Sequence, residues 1–218
     1  FVGDAAKVAV GGFTDQTTAV DTLTTVINAY GKSASEASHI SDVLIETQNK
    51  GKTTVNDLGE ALGQVIPSAA SAGVSFENLS TAMAIVTKNG VNTDIAGTSL
   101  KAMFTELSKS GSAVSKTLKS ETGQSFSELM NSGMSLGDVL QILLDSCNGN
   151  TEAFKNLFGN VRSQTAAYYL ASDGAKSFNN ELNTMTSTSG QAQAAFETMA
   201  NSPEYVSRRF KTAAENMK

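Results

Sequence analysis

Apolar residues recur along this chain at three- and four-residue spacing in runs of about a dozen, and strand-like alternation is almost absent. Ala19, Leu23, Val26, Ile27 and Tyr30 form one such stripe, with Thr14 or Asp15 placed to cap its start and Gly31 to end it. A second helix is predicted from about Ser35, with Ala37, Ile40, Val43 and Leu44 inward and Gly51 beyond its end. A third opens at Thr53 or Thr54 and carries Val55, Leu58, Leu62, Val65, Ile66 and Ala69 as far as Ala72, where Gly73 closes it. Pro67 lies inside that stripe, and its ring would press on the carbonyl of Gly63. A glycine there can yield, so the pattern predicts a kinked or interrupted helix rather than a stop.

Ser75 then caps a stripe of Phe76, Leu79, Met83 and Val86, which Lys88-Asn89-Gly90 ends. Thr93 or Asp94 caps the next, built on Ala96, Leu100, Met103, Phe104 and Leu107. Gly97 near its start lowers helix propensity by about 1 kcal/mol relative to Ala, which suits a place where another backbone packs close. From Gly111 the pattern loosens. Ala113 to Lys119 reads as a short helix, and 121–135 as either a short helix or a small extended, hairpin-like excursion. Order returns with Ser135, which caps Leu136 to Cys147, the cleanest amphipathic stretch in the chain. Asn150 or Thr151 caps Ala153, Phe154, Leu157 and Phe158, and Gly159 follows. Ser163–Ala171 and Ala175–Met185 are two more helical segments. Thr184–Gln191, rich in Thr, Ser and Gly, is the best linker candidate, and Ala192–Ala200 and Pro203–Lys218 read as helices beyond it.

These elements predict an all-α fold, an irregular bundle of short helices, divided into a helical module over 1–185 and a linker with C-terminal helices over 186–218. A continuous helix of this length would span about 330 Å, against a radius of gyration of about 17 Å for a compact domain. Breakers recur with caps beside them, which decides for the bundle. The chain begins without Met, on residues that read like the middle of a helix, and is expected to belong to something longer.

Composition sharpens this picture in two ways. Hydrophobic residues are 40% of the 218, but Ala supplies many of them and aromatics are only 6%, without Trp. The expected core is thin, with helices meeting over Ala and Gly and few large anchors. It should be marginal alone and able to open into extended helices. The net charge of −5 gives no general attraction to phosphate, so no specific nucleic-acid partner is predicted. Arg208-Arg209, Lys211 and Lys218 read as cations favourably placed toward a helix C-terminus. No run approaches the length of a transmembrane span, and no secretory signal opens the chain.

Candidate chemistry is sparse. His39 is the only histidine and Cys147 the only cysteine, so neither a zinc set nor a nucleophile–base pair is encoded at recognised spacing. Cys147 lies in register with Leu136, Val139, Leu140, Leu143 and Leu144 and reads as a small core hydrophobe. Asp57 with Glu60 suits a helix start, and Glu204 with Glu215 a polar face, better than acid–base work. The methionines mostly sit on helical stripes and read as gap-filling core. No glycine fingerprint follows a strand. The expectation is no catalytic residue, no metal ligand and no cofactor site: a protein that is not an enzyme.

The succession Leu58-Gly59-Glu60-Ala61-Leu62, Ala72-Gly73-Val74-Ser75, Asn89-Gly90, Ala96-Gly97-Thr98-Ser99-Leu100 and Leu157-Phe158-Gly159-Asn160-Val161 resembles the core region of phage tail tape measure proteins. In particular it is similar to the branch named after the lactococcal phage TP901-1, over about Ala19 to Leu170. The resemblance implies an all-α segment of a very long virion protein, made in the bacterial cytoplasm, that lies in the tail lumen, sets tail length during assembly and leaves with the genome. It implies partners among tail tube and tail-tip proteins and tail assembly chaperones. Self-association is left open, as is a membrane contact at infection that nothing in this segment encodes. The sequence departs from the family between Glu121 and Ser135, where an extended pair around a glycine is usual. The rival reading from another class is a secreted all-α effector or membrane-active toxin domain. A lytic enzyme is a third, lacking its catalytic set.

Overall fold

Caps and glycines divide the chain where the pattern places them. The computed structural model describes residues 1–172, 174–203 and 205–207. Among them are α1 Val2–Gly11, α2 Gln16–Tyr30, a 3₁₀ turn at Ala34–Glu36, α3 Ala37–Lys50, α4 Val55–Ser71, α5 Phe76–Lys88 and α6 Thr93–Ser108. There follow α7 Ala113–Thr122, α8 Phe126–Asn131, α9 Leu136–Ser146, α10 Thr151–Asn156, α11 Val161–Ala171, α12 Gly174–Ser187 and α13 Gln191–Ala200. No strand occurs among the described residues, and the fold is an all-α multi-helix bundle.

α5 lies at the centre. Phe76, Leu79, Ala82, Met83 and Val86 are buried, but so are Asn78, Ser80, Thr81 and Thr87, so the helix is enclosed nearly all round. Thr81 and Thr87 keep their hydroxyls satisfied inside it, donating back to the carbonyls of Glu77 and Met83, each at 2.8 Å. α3, α12, α6 and α11 pack around it, and α4 and α11 both lie along α6. α1 is sandwiched between α2, α3 and α13.

The helices do approach over small residues. A Cβ on Gly97 would stand 3.1 Å from the carbonyl oxygen of Ala61, so α4 backbone occupies the space a side chain would need. At the α1–α13 crossing, a Cβ on Gly11 would stand 2.7 Å from that of Ala195. The core is nevertheless less thin than composition suggests. Of ten phenylalanines, six (Phe76, Phe104, Phe126, Phe154, Phe158 and Phe178) are fully buried, so large anchors are scarce in number but concentrated inward.

Four local expectations are settled or corrected. The 121–135 stretch takes the short-helix alternative and is not extended: Ser125 and Glu128 form a reciprocal capping box that starts α8, and Phe126, Leu129 and Met130 bury its inner face. α6 starts one residue earlier than expected, because Asn92 rather than Thr93 or Asp94 accepts the Asp94 N–H. α4 runs past Pro67 without a stop, as expected, and without the interruption offered as one alternative, with Gly63 and Pro67 both on the exposed side. The stretch taken for a linker is packed: Thr184–Ser187 complete α12, Met185 and Thr188 are buried, and α13 beyond them lies against α1 and α3. Most of the expected helix Pro203–Lys218, with its cationic residues, lies outside the described residues.

Three exposed caps carry a pH signature. Hydrogen bonds hold three carboxyls below their ordinary values of 3.8 for Asp and 4.5 for Glu: Asp15 through the Thr18 N–H, Glu36 through Lys32 and then the Ser33 N–H, and Glu128 through the Ser125 N–H. A depressed folded value means that the contribution is complete above the unfolded value and is lost as pH falls through the folded one. Amide exchange at Ser125 is therefore expected to accelerate as pH drops below 4.5, after correction for intrinsic rates. Glu128→Gln should flatten that dependence. An unchanged profile in the variant would exclude the cap as its origin.

Candidate functional site

Most of the described residues that could have carried chemistry make ion-pair, packing or capping contacts. His39 on α3 meets Glu77 on α5, Nε2 to Oε1 at 3.2 Å, a partner 38 residues away that local sequence pattern does not reveal. Tyr30 packs its ring on Phe76. Its hydroxyl is raised above the ordinary tyrosine value by burial first and by the Glu77 carboxylate second, so it stays protonated. Cys147 is half-buried at the end of α9, packed against the hydrophobic core with the Ser146 hydroxyl 3.9 Å from its sulfur. Asp57 accepts from the Thr54 hydroxyl at 2.9 Å and reinforces the α4 cap, while Glu60 stands exposed on the next turn. Glu204 and Glu215 lie outside the described residues. Met83, Met103, Met130 and Met185 are buried, in keeping with core filling. Among the described residues no group of three or more His, Cys, Asp or Glu is arranged to hold a metal ion. No helix among them is long and apolar enough to cross a membrane.

What the fold does assemble is a set of polar anchors. Five backbone N–H groups, at the starts of four helices, donate to a side chain on a different helix. Val55 at the start of α4 donates to Gln48 of α3 at 2.9 Å, and Leu136 at the start of α9 to the buried Asn78 of α5 at 2.9 Å. Ala175 in α12 donates to Gln141 of α9 at 3.1 Å. Asp42, 5% exposed on α3, takes the N–H of Gly190 at 2.9 Å and of Ala192 at 2.8 Å, and so caps α13 from 148 residues away. Gly190 has no side chain with which to cap its own helix, and the remote carboxylate supplies the missing acceptor and a negative charge at the positive helix end.

Glu106 is the busiest of these. From the last turn of α6 its carboxylate accepts the Gly159 N–H, the Asn160 side-chain amide and the Ser163 hydroxyl, gathering the turn between α10 and α11. The Leu157-Phe158-Gly159-Asn160-Val161 motif is therefore a docking turn: Phe158 is buried, Gly159 and Asn160 face Glu106, Asn160 caps α11, and Val161 points out at 75% exposure. Sequence inspection did not single out Asp42, Asn78 or Glu106. The available signal was a polar residue set among inward-facing positions, as Asp42 is between Ile40 and Val43.

Together these contacts tie the starts of α4, α9, α12 and α13, and the turn before α11, to neighbouring helices. The comparisons give the family. Residues 1–159 match the family model described as phage-related minor tail protein, and the chain belongs to that family. It is 33% identical over 210 residues to the probable tape measure protein of Clostridium phage phiCD119, covering 94% of this chain and 22% of that protein. It is 25% identical over 201 residues to the tape measure protein of Pneumococcus phage Dp-1, covering 90% of this chain and 17% of that one. The chain thus spans about a fifth of the length of these relatives. No solved structure matches it.

Proposed function

We propose that this chain is a structural, non-enzymatic segment of a tape measure protein that acts in tail assembly and tail length determination from within the tail lumen. The observation that carries the reading is the match to two tape measure proteins across 90% or more of the chain. Neither relative is named as an effector, toxin or hydrolase, and nothing favours the secreted-effector alternative. The fold supports the same reading by its emphasis on cross-helix anchors.

Within that role the bundle is an assembly module that engages tail tube or tail-tip proteins, and the measuring rod lies elsewhere in the parent chain. A folded bundle contributes far less length per residue than an extended helix. Excising the segment corresponding to 1–218 from a parent phage gene should abolish tails or leave them defective under the electron microscope. Normal tails shortened in proportion to the deletion would overturn the assignment and make the segment part of the rod.

A further inference from the structure

The surface beside the Glu106 anchor has the features of a binding site for a helix. A groove of about 670 Å³ runs between α6 and the start of α11, with Gln64 of α4 at its edge. Its floor and walls are Ala102, Val161 and the methyl-bearing Thr98 and Thr105. Val161 also borders a second depression that continues along α11 past Thr165 to Tyr168. On α6 the outward positions Ile95, Thr98, Ala102 and Thr105 follow helical spacing, as do Val161, Thr165 and Tyr168 on α11. Among the exposed large hydrophobics of the described residues, which also include Phe1, Val2, Phe13 and Val206, Ile95, Val161 and Tyr168 all lie on these two helices. Two neighbouring helices that each turn such a stripe outward leave a seat for a third.

Charge narrows the occupant. Lys101 and Arg162 stand exposed at the groove, and among the described residues neither is paired with a carboxylate. The one acid lining it, Glu106, has both oxygens engaged by Gly159, Asn160 and Ser163. The charge left for a ligand is positive, on a chain whose net charge is −5. A second copy meeting this one groove to groove would set Lys101 and Arg162 against their own counterparts, which disfavours a symmetric dimer here. A nucleic acid would leave the apolar ridge at Val161 unused.

We propose that the α6–α11 groove binds an amphipathic helix of another protein, one with apolar residues every three or four positions flanked by carboxylates. The inference rests on this surface alone and stands apart from the tail role. The probe is a labelled peptide of about five helical turns with leucines at that spacing and glutamates beside them, titrated into the 218-residue chain by fluorescence anisotropy. Saturable binding is expected, weakened by salt, with amide shifts centred on Ala102 and Val161. K101E/R162E and V161D should each weaken it about tenfold or more. All three residues are exposed, and an unchanged circular dichroism spectrum verifies the fold. A peptide carrying lysines in place of glutamates should prefer K101E/R162E to the unmodified chain. Absent binding, equal affinity for the double variant, or shifts centred elsewhere would overturn the proposal. So would concentration-dependent dimerisation abolished by V161D, which would give the groove to a second copy.

Discussion

Asp42→Ala is expected to destabilise the docking of α13 by about 3 kcal/mol, since hydrogen bonds to a charged acceptor contribute about 1.5–3 kcal/mol each and their loss strands buried donors. The Gly190 and Ala192 N–H groups share this one carboxylate, and Ala192 is itself 3% exposed, so water does not readily replace the acceptor at that N–H. Asp42→Asn retains one acceptor oxygen and should lose about half as much. The effect is local first: α13 also rests on α1 through the close Gly11–Ala195 crossing, so the bundle should persist while the 184–191 stretch loosens. Amide exchange at Gly190 and Ala192, with limited proteolysis across 184–191, measures this directly. Protection equal to that of the unmodified chain would mean that the α1–α13 contact holds the helix by itself.

The same contact explains why that stretch reads as a linker in the sequence. Local composition registers Thr, Ser and Gly, and those residues are poor helix formers without tertiary support. The support here comes from α3, at the other end of the chain. Where a boundary is set by a residue within three or four positions, it is legible. Asp15 accepting from Thr18, Ser75 from Asn78, Ser135 from Asp138, and Gly31 at φ 60° are such cases. At the start of α6 the sequence is ambiguous because three consecutive polar residues with cap tendency compete, and the structure gives the cap to Asn92.

The candidate surface was less legible than the fold. Sequence spacing shows that Leu157-Phe158-Gly159-Asn160-Val161 is a motif, but not that Glu106, more than fifty residues earlier, is its receptor. Val161 reads as an ordinary apolar residue beginning a helix, and only the structure leaves it uncovered beside Ala102. The phenylalanines carry the opposite lesson. Their low count suggested weak anchoring, yet Phe104 and Phe178 fall on inward stripes and are fully buried. Composition counts anchors without weighting them by position.

Gly97→Val is expected to cost about 3 kcal/mol, at the upper end for inserting extra carbons into a packed interior. The position sets two effects against each other. Replacing a helical glycine by a residue with a side chain gains up to about 1 kcal/mol of backbone propensity with Ala and less with Val. Against that, even a single methyl would sit 3.1 Å from the Ala61 carbonyl oxygen and 3.2 Å from its Cβ. The obstruction is α4 backbone, held between α6 and α2, and cannot rotate aside as a side-chain tip could. Gly97→Ala should therefore show a small net loss in urea unfolding, and Val, with two further methyls, a large one. Gly63 provides the control: it lies inside α4, and a Cβ there would meet nothing within 4 Å, so Gly63→Ala should gain most of the propensity term. If Gly97→Ala stabilised the chain as Gly63→Ala does, the α4–α6 contact would be loose enough to yield. The glycine in Ala96-Gly97-Thr98 would then be a helix defect rather than the seat of a close crossing.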